Sequence, residues 1–464
     1  MSHPRSTPIS TRTFSRRRFT QIAASTAAFG AFPHANVSAA SAQRVYGANE
    51  KVNVAIIGCG GMGGSDAKSI FNTKMVNVVA LCDVAMGTKH TAAIEEKFPD
   101  VPRFKNFRVM FDKMSNQIDA CTVGVPDHSH FPIAILAMSL GKGVYVEKPL
   151  AHTFQEIELL MAAEKKYGVA CQMGNQGHSG ANFHQFKAWK EAGVIENIRE
   201  VTANMNAGRR WHPWTFDEWQ TGETMPDGID WDTWAGTAAK HPYSNKLHPG
   251  NWRSWFEYGN GAFGDWGPHL LDTVHRFLDL GLPERVTAVV LDGRRELIFP
   301  MASTIQFDFP ERGDEPACKV TWYDGVKNQP PRPADLEDGR KMETNGKTIY
   351  GDGITFKGAS HGSPLRVLPG EKANDLASDL PRYETGSNHH LNFVRAVKGE
   401  EQTRSSFDIS GPLSQMFCIG VIAQRLGGEL VFDRETKQIT NNKVANELLV
   451  GPPPRKGWEE FYKL

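Results

Sequence analysis

The chain has 464 residues, 40% of them hydrophobic and 22% charged, with 52 basic against 52 acidic side chains. That length buries a sizeable core and suggests two domains, and the charge balance gives no reason to expect nucleic acid or an anionic membrane surface as a partner. Six cysteines, at 59, 82, 121, 171, 318 and 418, form no CxxC and no zinc-ligand spacing, so buried free thiols and no metal site are expected.

Residues 1–42 depart from this average. They carry five arginines (Arg5, Arg12, Arg16, Arg17, Arg18) and no acid, which leaves 47 basic against 52 acidic residues elsewhere. The arginine cluster precedes a modestly apolar, alanine-rich stretch, and Ala40-Ser41-Ala42 offers a small-residue cleavage site. Ser15-Arg16-Arg17-Arg18-Phe19 resembles a twin-arginine signal, which implies an exported, periplasmic protein. A disordered basic start and an organelle transit peptide remain the other readings. The apolar run is too short to span a bilayer, and no later stretch approaches spanning length.

From Lys51 onward, apolar runs of a few residues alternate with amphipathic stretches. "KVNVAIIG", "MVNVVALCD", "DACTVGV", "GVYVEKP" and "VACQMGN" read as strands, with "TKHTAAIEEKF", "FPIAILAMSLG" and "TFQEIELLMAAEKKYG" among the helices between them. This alternation predicts a doubly wound parallel sheet over 50–172, a Rossmann-type domain. A second α+β domain is expected over 173–385. It contains a tryptophan-rich segment, 205–266, with eight of the eleven tryptophans, and a hairpin at "TNGKTIYGDGITFKG". Residues 386–464 are expected to be helical and to pack back on the body.

Gly58-Cys59-Gly60-Gly61-Met62-Gly63 satisfies G-x-G-x-x-G between the first strand and the first helix. The pattern alone is weak, but Asp83 closes the next strand twenty residues later. Gly58 would turn tightly, Gly60 would admit a pyrophosphate, Gly63 would let helix meet strand, and Asp83 would accept the ribose hydroxyls. NAD is therefore expected; Lys89 leaves NADP open. Ligands bind at the carboxyl ends of strands in such sheets, which puts Pro126, His130, Glu147 and Lys148 on the cofactor side. "MGNQGHS" would bring Asn175, Gln176 and His178 into the interdomain cleft, to bind sugar hydroxyls or to form a polar hinge. Arg209 and Trp252 belong to an aromatic and basic cluster that could stack on a pyranose ring. The same tryptophans could equally anchor a core.

Together, "VAIIGCGGMG", the strand-ending "CD", "VPDHSHFPIA", "EKP" and "GNGAFGDWGPHLLD" resemble the Gfo/Idh/MocA oxidoreductase family, which includes glucose-fructose oxidoreductase and inositol dehydrogenase. The resemblance covers most of the chain after residue 50. It implies an α/β fold, with the Rossmann domain followed by an α+β domain with an open-faced, mostly antiparallel sheet that commonly mediates homo-oligomerisation. It implies that Gly58, Gly60, Gly63 and Asp83, with Gly61 and Met62 between them, hold the dinucleotide, and that Pro126 and His130 border its nicotinamide ribose. Lys148 matches the family's substrate-contacting lysine, and Asp265 and His269 match the acid and histidine of its second domain. The chain reads Val-Pro-Asp where the family often has Thr or Ser with Pro-Asn, so that loop is less securely matched. The chemistry asks for these residue types too. Hydride removal from a secondary alcohol needs a base for the hydroxyl proton, suited to His269, and a cation for the developing alkoxide, suited to Lys148. The expected function is NAD(P)-dependent oxidation of a sugar, polyol or derivative. Soluble NAD is scarce outside the cytoplasm, so an exported enzyme would keep its cofactor bound, and a redox-neutral glycosidase, lyase or sugar–sugar oxidoreductase is the alternative. A non-catalytic dinucleotide- or sugar-binding protein is the third.

Overall fold

Short β-branched runs separated by helices close into a six-stranded sheet whose strands all run parallel. In the computed structural model, which describes residues 50–207, 214–376 and 379–464, the strands are β1 (Val52–Ile57), β2 (Val76–Cys82), β3 (Arg103–Phe104), β4 (Ala120–Val123), β5 (Gly143–Val146) and β6 (Cys171–Met173). Their spatial order is β3-β2-β1-β4-β5-β6, so the connections reverse direction between β1 and β4. β4 and β5 are buried at every residue, as strands covered by helices on both faces must be. The reversal opens a crevice at the carboxyl ends of β1 and β4, where a doubly wound sheet binds its ligand.

The remaining strands, β7 (Glu200–Met205), β8 (Arg285–Asp292), β9 (Ala302–Phe309), β10 (Cys318–Asp324), β11 (Asn345–Gly351), β12 (Ile354–Gly358), β13 (Arg366–Leu368), β14 (Gly428–Asp433) and β15 (Gln438–Ile439), form a nine-stranded sheet. Every pairing in it is antiparallel except β7 with β10. β11 and β12 make the expected hairpin, turning at Asp352-Gly353. Residues 386–464 differ from the all-helical expectation: β14 and β15 lie there and extend the second sheet. Their alternating apolar residues, Leu430 and Phe432, bury one face against the core, which a short strand achieves and a helix of that spacing would not.

Two long helices join the sheets. The helix Gly261–Phe277 carries "GDWGPHLLD" and is buried along most of its length. It packs on the helix Phe407–Leu426, where Phe417 lies against Gly267 and Phe263 against Gly420. A methyl group on Gly267 would meet the Phe417 ring at 2.7 Å, so the glycine permits the close crossing that holds this helix beside the crevice. The tryptophan-rich segment forms a core of its own. Trp231 stacks on Trp234 at 4.1 Å and Trp219 on Trp255 at 4.5 Å, joined by Trp252 and Tyr258. Most of these rings therefore serve packing; among the segment's described tryptophans, Trp234 and Trp252 line the crevice. All six cysteines are buried and free. Among the described residues no helix is long and apolar enough to cross a membrane, and no cluster of three His, Cys, Asp or Glu could hold a metal ion. The predicted signal, 1–42, and Arg209 lie outside the described residues.

Candidate active site

A cleft of about 540 Å³ runs along the carboxyl ends of β1, β2, β4 and β5. Gly58, Gly60, Gly61 and Met62 form one wall, and Asp83, Pro126, Glu147, Lys148, Trp252 and Asp265 are distributed along the rest. The glycine wall is tight for a geometric reason. Gly58 has φ +90°, and a Cβ there would stand 2.2 Å from the Gly124 carbonyl oxygen. One on Gly63 would stand 2.3 Å from the Gly58 oxygen, and one on Gly124 2.4 Å from the Gly63 Cα. Three backbones thus meet without side chains, which lets the helix Gly61–Asn72 start flush against β1 and β4, with Gly61 and Met62 of its first turn lining the cleft. Gly63 holds this junction from behind and does not itself line the cleft. Gly124 was not anticipated, although it ends β4 as Gly58 ends β1.

Asp83 accepts the Cys59 N–H and the Ala85 N–H, each at 2.8 Å, so it braces the glycine loop and its own turn. Each carboxylate oxygen can take a second bond, which leaves Asp83 able to accept ribose hydroxyls. His90 lies over Gly60 and meets His248 edge to face at 5.9 Å. His248 belongs to the tryptophan-rich segment, which crosses the adenosine end of the cleft as a strap. Lys105 Nζ donates to the Gly228 carbonyl at 2.6 Å, Asp230 N–H to the Val84 carbonyl at 2.9 Å, and Asn106 to the Thr233 hydroxyl at 2.8 Å.

At the other end, Lys148 Nζ donates to Asp265 Oδ1 at 2.8 Å and lies 3.6 Å from Glu147 Oε2, all three groups buried. Arg253 donates to both Asp127 oxygens at 2.9 and 3.1 Å and comes within 3.7 Å of Asp265. Asp127 also accepts the Asn260 N–H at 2.9 Å, which ties the turn after β4 to the start of the helix Gly261–Phe277. Removing one member of such a chain strands a buried charge, so Glu147, Lys148, Asp265, Arg253 and Asp127 hold each other in place. Arg253 and Asp127 escaped the sequence reading because neither stands near its partner in sequence. His269 lies one turn beyond Asp265 on the same helix, buried, with its Nδ1 making no hydrogen bond. His361, from the loop after β12, stacks on it at 4.0 Å. Burial, then the charges of Lys148 and His361, hold the His269 pKa well below the usual histidine value, so it is neutral at pH 7 with a lone pair to offer.

Other expected contacts fall elsewhere. His130 does not line the cleft; its two ring nitrogens meet the Pro149 and Val125 carbonyls at 2.7 and 2.9 Å and join the two strand-end loops. Gln176 does not line the cleft either, but it donates at 3.0 Å to Oε1 of Glu147, which does. Asn175 turns away to accept from Ser405 at 2.7 Å. His178 packs on Phe183 and stands 3.5 Å from Asp272, beneath the surface of the cleft.

Comparison with known proteins places this geometry. Residues 52–175 match the profile described as "Oxidoreductase family, NAD-binding Rossmann fold", and 179–292 match "Oxidoreductase family, C-terminal alpha/beta domain", which together cover half the chain. Inositol 2-dehydrogenase of Salmonella typhimurium is 25% identical over 172 residues, 37% of this chain and 49% of that protein. The scyllo-inositol 2-dehydrogenase (NADP(+)) IolW of Bacillus subtilis is 24% identical over 247 residues, 53% of this chain and 56% of that one. The matched segments thus span about half the length of these curated relatives. Among solved structures, the WlbA dehydrogenase of Bordetella pertussis, in complex with NADH and UDP-GlcNAcA, aligns with TM-score 0.55 at 17% identity, over 83% of this chain and 99% of that one.

Proposed function

The chain belongs to the Gfo/Idh/MocA family of oxidoreductases, and from that premise we propose that it oxidises a secondary alcohol of a cyclic polyol, sugar or sugar derivative. The observation that carries the reading is the buried Lys148–Asp265 pair, 2.8 Å apart in the dinucleotide cleft with neutral His269 one helical turn away. The glycine wall, which any Cβ would fill, and Asp83 at the end of β2 fit NAD. NAD, when bound, supplies the hydride acceptor. Lys148, held by Asp265, steadies the developing negative charge on the substrate oxygen, and His269 takes its proton. The inositol dehydrogenases among the relatives support a polyol. A protein that merely bound sugar would have no use for a buried cation and a neutral base on the same helix and strand end.

Two observations favour a second reading in which the hydride is returned within one turnover. A glycosyl hydrolase family 109 protein of Saccharopolyspora erythraea is 30% identical over 138 residues, 28% of this chain and 30% of that one. The strap over the adenosine end would also slow cofactor exchange, as export by the twin-arginine route requires; export and a homo-oligomeric state belong to the same proposal. The test is to purify the protein, assay nicotinamide released on denaturation, and offer inositols, sugars and aryl glycosides. Polyol-dependent NADH formation, lowered by about 100-fold or more in Lys148→Met, supports the first reading. Glycoside cleavage without net NADH supports the second, and no turnover with any of them overturns both.

A further inference from the structure

Hydride transfer gives the segment 451–464 no task, yet that segment reaches the cleft. Three prolines at 452–454 cannot continue the helix Lys443–Val450, and with φ fixed they carry the chain on to Arg455. Arg455 turns every side-chain nitrogen on the strap. Its backbone N–H donates to the Thr237 carbonyl and its Nε to the Gly236 carbonyl, both at 3.0 Å. Nη1 donates to Asp232 Oδ1 and Nη2 to the Asp232 carbonyl, both at 2.8 Å. These acceptors belong to the helix Trp231–Ala235 and the two residues after it. Five residues are too few to hold a helix by themselves, so what fixes its ends decides whether it stands. Asp230 caps the start, accepting the Thr233 N–H at 3.0 Å, and Arg455 holds the finish. Thr233, Trp234 and Gly236 of this unit line the cleft.

Three residues beyond Arg455, Trp458 is buried and lines the cleft itself. Its ring packs on Phe107 at 6.0 Å, with the Arg108 guanidinium over it at 4.1 Å. Phe107 follows Phe104, whose carbonyl accepts the Asp83 N–H at 3.0 Å, so Trp458 belongs to the end of the cleft that Asp83 marks. Phe107 and Trp458 together give that end an aromatic lining, which suits the faces of a purine. Tyr462 anchors the segment further along, donating to Glu156 Oε1 at 2.5 Å and packing on Phe131 at 4.7 Å.

We infer that the segment 451–464 is part of the dinucleotide site: Trp458 walls the adenosine end, and Arg455 latches the strap over it, so that cofactor release waits on the latch. The inference rests on the dinucleotide reading of the cleft. The strap's contacts with Val84, Lys105 and Asn106 fall at 228–233, and Arg455 takes 232–237, so the two sets hold different parts of it. The side chains of Arg455 and Asp232 are 22% and 53% exposed, so their ion pair adds little to the stability of the fold and can open during exchange.

The latch is tested by timing release. The complex of the purified full chain with NADH is mixed with excess NAD, and the loss of bound-nucleotide fluorescence gives the dissociation rate. Arg455→Ala should raise that rate about tenfold, whereas Lys456→Ala, which removes the exposed neighbouring charge, should leave it at the wild-type value. Reduced nicotinamide mononucleotide, which lacks the adenosine half, should bind wild type and Arg455→Ala equally. An unchanged NADH rate in Arg455→Ala, or an equal loss of affinity for the mononucleotide, overturns the latch and leaves the dinucleotide reading standing. A wild-type chain that binds no NADH overturns both.

Discussion

Asp83 shows how far one residue can be read and where reading stops. An acid twenty positions after a glycine loop is recognisable in the sequence, and it stands at the end of β2 as that spacing requires. Its second task, bracing the loop through the Cys59 N–H, needs coordinates. Asp83→Ala should weaken NAD binding by ten- to a hundred-fold, from the loss of about 1.5–3 kcal/mol of charged hydrogen bonding, and should narrow the preference over NADP. Quenching of tryptophan fluorescence on titration with each dinucleotide measures both. Lys148, Asp265 and His269 were legible as residue types, and the structure brings the first two to 2.8 Å. Arg253, Asp127 and His361 carried no local signal. A cation 126 residues from its acid declares the pairing only once the fold brings them together.

At the scale of elements, the strand–glycine–helix junction was legible because its geometry is set locally, by φ at Gly58 and by the absence of side chains. Gly124 was not, because its reason is the approach of another element. Gly124→Ala would push a methyl group to 2.4 Å from the Gly63 Cα. It should cost about 1–3 kcal/mol of stability and most of the cofactor affinity, seen as a lower denaturation midpoint and a raised Kd for NAD. The tryptophan-rich segment illustrates the opposite case. Its composition left both a ring-binding surface and a core open; aromatic faces satisfy one another when enough of them are close, and among the described residues they stack into a strap with two rings, Trp234 and Trp252, in the cleft. His130 and His178 likewise stand at predicted strand ends yet turn toward carbonyls and a neighbouring acid instead of the cleft. Position along a strand does not settle side-chain direction in the loop that follows it.

At the scale of the whole molecule, burial of ionisable groups ties stability to pH. Burial lowers His128, His248, His275 and His390 to about 4 and His389 to about 3. Depressed in the folded state, these groups contribute stability that is present above about pH 6.5 and lost as pH falls toward 4, because the unfolded chain binds protons that the folded chain refuses. The thermal midpoint should therefore drop steadily between pH 6.5 and 4. His275→Gln, whose amide can still donate to the Gly281 carbonyl, should make that slope shallower. A slope unchanged by His275→Gln would assign the acid sensitivity elsewhere. What the sequence determined by itself was whatever depends on near neighbours: the alternation of strands and helices, the glycine turn, the acid at the next strand end, and the one-turn spacing of Asp265 and His269. What only the tertiary structure decided was whatever depends on groups far apart in the chain. Lys148 finds Asp265 across 117 positions, Asp66 finds His390 across 324, and most of the described tryptophans of the strap pack on each other. The physical reason is that pairing and burial, unlike backbone conformation, are set by what the folded chain places nearby.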